Sequence, residues 1–139
     1  MHHLNWLAVF VAGISTMIVG FVWYSPLLFA KSWTREMGYD PNDQAQMQEM
    51  RKGAGPAYFG SLIAGFLSAF TLALFFHWLH VQDLHLGLMA GFHIWLGFVA
   101  TVQFTGVLFA KQSMKLFVIN TGYQLVCYLI MGAILAAWK

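Results

Sequence analysis

The run Gly20-Phe21-Val22-Trp23-Tyr24-Ser25-Pro26-Leu27-Leu28-Phe29 closes a long apolar block and redirects the chain. Upstream, residues 4–24 hold no Asp, Glu, Lys or Arg. That length matches one crossing of a hydrocarbon core, roughly 20 apolar residues as a helix. Downstream, Ser is a good N-cap and Pro is preorganised for a first helical position. The pattern therefore predicts a second, short helix over residues 26–37, stopped by Gly38. Phe29, Trp33 and Met37 recur every four residues on one face, with Lys31, Ser32, Arg35 and Glu36 on the other. Such a helix lies along a membrane surface. The alternative is a kinked continuation of the first span.

Three more blocks of spanning length follow, at residues 57–79, 84–109 and 116–138, none with an acidic or strongly basic residue inside. In lipid, backbone amides must be satisfied within the segment, so four helices are expected; the alternating ten-residue pattern of a barrel is absent. The expected fold is an all-α integral membrane protein. It is a four-transmembrane-helix bundle in one domain (1–139), with the interfacial helix and a short cytoplasmic helix between spans 1 and 2. The latter is read from the polar stretch 43–52, with Gly53-Ala54-Gly55-Pro56 as its end.

Composition agrees. Sixty per cent of the 139 residues are apolar and nine per cent are charged, against about 25 % charged in soluble domains. A formal net charge of +2 without a dense basic cluster excludes a nucleic-acid binder. The single cysteine, Cys127, rules out an intrachain disulfide. Residues 1–5 carry no Lys or Arg, so a removable signal peptide is not expected.

Lys31, Arg35, Arg51 and Lys52 lie in the first connection and Lys111 and Lys115 in the third; the second has none. Basic loops stay on the cytoplasmic side. Both termini and the second connection are therefore expected outside, and the first and third connections in the cytoplasm.

Small residues supply packing faces, because lipid gives apolar helices no hydrophobic drive to associate. Ala57, Ser61, Gly65, Ala69 and Ala73 are spaced by four on the second span; Ala8, Ala12, Thr16 and Gly20 on the first; Gly87 and Gly91 open the third. Four spans cannot use every such face internally, so a homo-oligomer is expected, a dimer or higher, with the bilayer as the other partner.

The signature Trp23-Tyr24-Ser25-Pro26-Leu27-Leu28-Phe29, followed by Lys31 and Trp33, resembles the opening of a family of small bacterial membrane proteins called domain of unknown function 1761. Residues 115–123, the ending Met131-Gly132-Ala133-Ile134-Leu135 and the run Gly97-Phe98-Val99-Ala100-Thr101 are similar to its later parts. The resemblance implies a four-span protein of the bacterial inner membrane and no particular activity.

Two sets of residues carry candidate chemistry. His93, Thr101 and Gln103 on the third span, with Asn120, Gln124 and Tyr128 on the fourth, would line a polar path or contact a ligand; the competing reading is hydrogen-bonded glue between helices. His93 is the ionisable member. His77 and His80, at helical i, i+3 spacing, and His85 across a tight turn have ligand-compatible placement, and His2 and His3 fall at the same side. No partner thiol accompanies them, so no cofactor is expected, with metal or haem the alternative. Hydrolase, metalloprotease and phosphate-loop signatures are absent, and no catalytic residue is assigned. The reading that follows is a small oligomeric channel or carrier for a small neutral or weakly polar solute, not an enzyme. A structural or accessory subunit without its own ligand and a metal- or haem-binding module are the alternatives.

Overall fold

A computed structural model of the chain describes residues 4–138. Six helices form among them, and no strand: α1 (Trp6–Trp23), α2 (Ala30–Glu36), α3 (Gln44–Arg51), α4 (Ala54–Trp78), α5 (Leu84–Phe109) and α6 (Met114–Ala137). The helices α1, α4, α5 and α6 are each long and apolar enough to cross a membrane.

Their ends follow local chemistry. Asn5 caps α1 by accepting from Ala8 N at 3.0 Å, and Asp43 caps α3 through Ala45 N at 2.9 Å. Asp83 caps α5 through Leu86 N at 2.8 Å, and Ser113 caps α6 through Leu116 N at 3.3 Å. Gly38, at φ +89°, stops α2 as its composition suggests. His80 and Lys111, both at φ 53°, take the left-handed position after α4 and α5.

Two expected boundaries move. The short helix begins at Ala30 rather than Pro26, because Ser25 does not act as its N-cap. The Ser25 hydroxyl turns back and donates to Val22 O at 2.6 Å, and the Ser25 carbonyl accepts from Leu28 N and Ala30 N. A tight turn therefore replaces the first helical turn. The second span begins at Ala54, three residues ahead of the expected 57, and runs through Pro56. In the first turn the missing proline N–H has no intrahelical partner to lose.

The four long helices form an open array in the order α4, α1, α6, α5. The main seams join α1 to α4, α1 to α6 and α5 to α6; α4 meets α6 more lightly. Across the fourth side α4 and α5 face one another over a groove. Ala12, Ala69, Leu72, Phe76, Cys127 and Met131 fill the centre. The buried hydroxyls of Thr16 and Thr121 donate to Gly13 O and Phe117 O of their own helices, at 2.7 and 2.6 Å. No buried side-chain N or O lacks a partner among the described residues. The array has a basic end, with Lys31, Arg35, Arg51, Lys52, Lys111 and Lys115, and a histidine end, with His77, His80 and His85.

Candidate functional site

At the basic end the turn after α1 is drawn together by aromatic residues. Pro26 has no N–H to continue a helix, and the reversal folds Phe29 against Trp23 and Trp33 against Tyr24, with ring centroids 4.8 and 5.8 Å apart. Trp23 Nε1 donates to Ile119 O at 2.9 Å, and Tyr24 OH donates to Asn120 Oδ1 at 2.7 Å. One turn along α6, Tyr123 OH donates to Thr16 O at 2.9 Å. The Trp23-Tyr24-Ser25-Pro26 signature is thus an anchor that ties α1, α2 and the start of α6 together. Asn120 belongs to that anchor, and Gly20 lies against the Tyr123 hydroxyl.

The residues expected to line one polar path are divided. Asn120, Gln124 and Tyr128 are half-buried along α6. His93 and Thr101 are exposed on α5, Gln103 is half-buried there, and a side chain added at Gly97 would meet nothing within 4 Å. The Thr101 hydroxyl is spent on Gly97 O and that of Thr105 on Val102 O. His93 Nδ1 lies 2.8 Å from Met89 O. A carbonyl can only accept, so Nδ1 carries the hydrogen and Nε2 is the ring nitrogen left to the surroundings. Residues Trp95–Ala100, in the middle of α5, form a π-helical segment, a rare irregularity that recurs at functional positions. It begins where Trp95 Nε1 donates to Thr121 O at 2.9 Å. Trp95 was not among the sequence candidates. Its flanking Phe92, Ile94 and Leu96 make it look like one more lipid-facing residue.

At the histidine end a cavity of about 230 Å³ opens between α1, α4 and α6; Asn5, His77, His80, Gln82 and Trp138 edge it above Phe76. His85 is not in its lining, and Asp83 is occupied in capping α5. Among the described residues no three of His, Cys, Asp and Glu gather as a metal set, so the arrangement of His77, His80 and His85 anticipated from spacing does not come together. His2 and His3 lie outside the described residues.

The groove between α4 and α5 holds a second cavity, of about 220 Å³, with Ser68, Thr71 and Phe75 on one wall, Ile94 on the other and Tyr128 of α6 at its edge. Small residues make the seams around it. Gly65 receives the Thr16 hydroxyl and lies against Gly13 O; Gly13 lies under the Phe66 ring. Gly87 faces Gly132 and Ala136, and Gly91 faces the Tyr128 carbonyl. Ser61, expected on a helix–helix packing face of the second span, is exposed.

A family model described as protein of unknown function (DUF1761) matches residues 7–136. No curated protein and no solved structure matches the chain.

Proposed function

The chain belongs to the DUF1761 family, and we propose that this member is a small homo-oligomeric protein of a bacterial inner membrane that passes a small neutral or weakly polar solute where copies meet. The carrying observation is the outer face of α5. It presents His93, Gly97 and Thr101 to the surroundings near the middle of a 26-residue helix. An ionisable side chain at such depth faces protein or water rather than acyl chains, and an open glycine beside it allows a second helix to approach closely. The six basic residues at one end support an orientation with that end in the cytoplasm and the histidine end outside.

The test is mass by light scattering in nanodiscs, joined to solute-driven volume change of liposomes. The wild type should be a dimer or higher and should speed the flux of a small uncharged solute above that of empty liposomes. Gly97→Leu should shift it toward monomer, and His93→Ala should slow the flux. A monodisperse monomer without flux would overturn the reading. One observation favours a second reading, a sealed accessory subunit: Leu72, Cys127 and Met131 are fully buried at the centre.

A further inference from the structure

Most helical Ser and Thr hydroxyls here bond within their own helix; Ser32, Ser61 and the hydroxyls of the α4–α5 groove do not. Ser15, Thr16, Thr34, Thr101, Thr105 and Thr121 each donate to a carbonyl three or four residues earlier, at 2.6–2.7 Å. Such back-bonding is how a helical Ser or Thr satisfies itself in an apolar setting. Ser68, Thr71 and Tyr128 make no hydrogen bond within the described residues, and all three line the same 220 Å³ cavity. Ser68 and Thr71 share a face of α4 by their i, i+3 spacing; Tyr128 comes from α6. The remaining lining is Leu67, Leu72, Phe75 and Ile94. Every lining residue belongs to α4, α5 or α6 and none to a connection, so the groove lies along the sides of the helices.

We propose that this groove binds the head of a membrane-dissolved ring compound whose ring carbonyls accept from the hydroxyls of Ser68, Thr71 and Tyr128, a benzoquinone-type ring with an apolar tail. Three observations set the class. A cavity of roughly 150 Å³ lined by apolar side chains accommodates one benzene ring, so 220 Å³ has room for one substituted ring. The helix carbonyls nearby are used by the helix, so the groove's free polar groups are three hydroxyls, and each can donate to a carbonyl oxygen. A groove along the sides of apolar helices lets a tail remain among acyl chains while the ring enters. The inference stands apart from self-association and flux.

The experiment is equilibrium binding of tritiated 2-decyl-1,4-benzoquinone to the full chain in nanodiscs, with empty nanodiscs subtracted. Saturable binding near one per chain is expected. Decylbenzene, with the same tail and no oxygen, should compete at least tenfold more weakly. Ser68→Ala with Thr71→Val should weaken the quinone about tenfold and leave decylbenzene unchanged, since each lost hydrogen bond is worth roughly a factor of a few. Tyr128→Phe should weaken it severalfold. Leu67→Trp, at the exposed lip, should block both probes; all variants are compared after confirming wild-type helicity and elution. Non-saturable uptake, equal competition by decylbenzene, or unchanged affinity in the Ser68/Thr71 variant would each overturn the proposal.

Discussion

The helix α6 is held to its two neighbours by different chemistry. Its α1 side is a donor seam: Trp23, Tyr24 and Tyr123 each place an N–H or O–H on a named acceptor across the interface. Its α5 side is a glycine seam. There Gly87 meets Gly132 and Gly91 meets the Tyr128 carbonyl, with one donor, Trp95, at the far edge. A donor seam fails when a polar group is removed and tolerates modest changes of volume. A glycine seam has no group to remove and fails when a carbon is added. The α1–α4 contact lies between the two, because what occupies the space beside Gly65 is chiefly a side chain, Thr16.

The largest effect should come from filling the glycine seam. A Cβ at Gly132 would lie 2.5 Å from Gly87 O, and backbone cannot step aside. Gly132→Val should cost about 3 kcal/mol, read as unfolding in mixed micelles, and no side-chain substitution on α5 should restore it. If a second-site change on α5 did rescue it, the seam would be softer than its geometry implies. Gly65→Ala should cost about 2 kcal/mol. Here Thr16→Ala should recover part, because it removes the hydroxyl that the new carbon meets. That recovery, scored as a double-mutant cycle, separates the two kinds of glycine contact.

Breaking the donor seam is expected to be milder. Tyr24→Phe should cost about 1 kcal/mol, near the net worth of one interhelical hydrogen bond. Asn120→Leu in the same chain should cost little more, since the amide's partner is already gone. A full additive loss would mean that Asn120 has a second role. The smallest effect should fall at Gly97. An added carbon there meets nothing, so Gly97→Ala should change the unfolding free energy by under about 1 kcal/mol, in the stabilising direction. The same variant should lower self-association in nanodiscs if copies meet on this face.

Much of the fold was legible because the length and apolar character of each long helix are written residue by residue. The expected third span coincides with α5, the other three lie within a few residues of the observed helices, and Gly38 stops α2 as expected. The misplaced starts have one cause. Pro26 and Pro56 both read as punctuation, yet Ser25 chose its own upstream carbonyl over the capping role, and Pro56 was absorbed into a first turn. The first turns on which bond the Ser25 hydroxyl makes, the second on a proline being tolerated where no intrahelical N–H bond is lost. Among candidate residues, Asn120 was visible as a polar group needing a partner, but its attachment to Tyr24, 96 positions away, was not. The donors Trp23 and Trp95 were hidden by their apolar surroundings, since an indole N–H leaves no mark on hydrophobic periodicity.

The amino-acid sequence by itself determined that this chain makes four long apolar helices, with basic connections at one end, histidines at the other and small residues in rows. Tertiary structure alone decided which row meets which helix: that α1 and α6 lie at the middle of the array, that α4 and α5 face each other across a groove, and that Ser68, Thr71 and Tyr128 line one cavity. The physical reason is the solvent expected for such helices. In water an apolar stripe marks the buried face. In lipid the outward and inward faces are both apolar, so periodicity reveals a face without telling whether it meets a helix or a lipid chain.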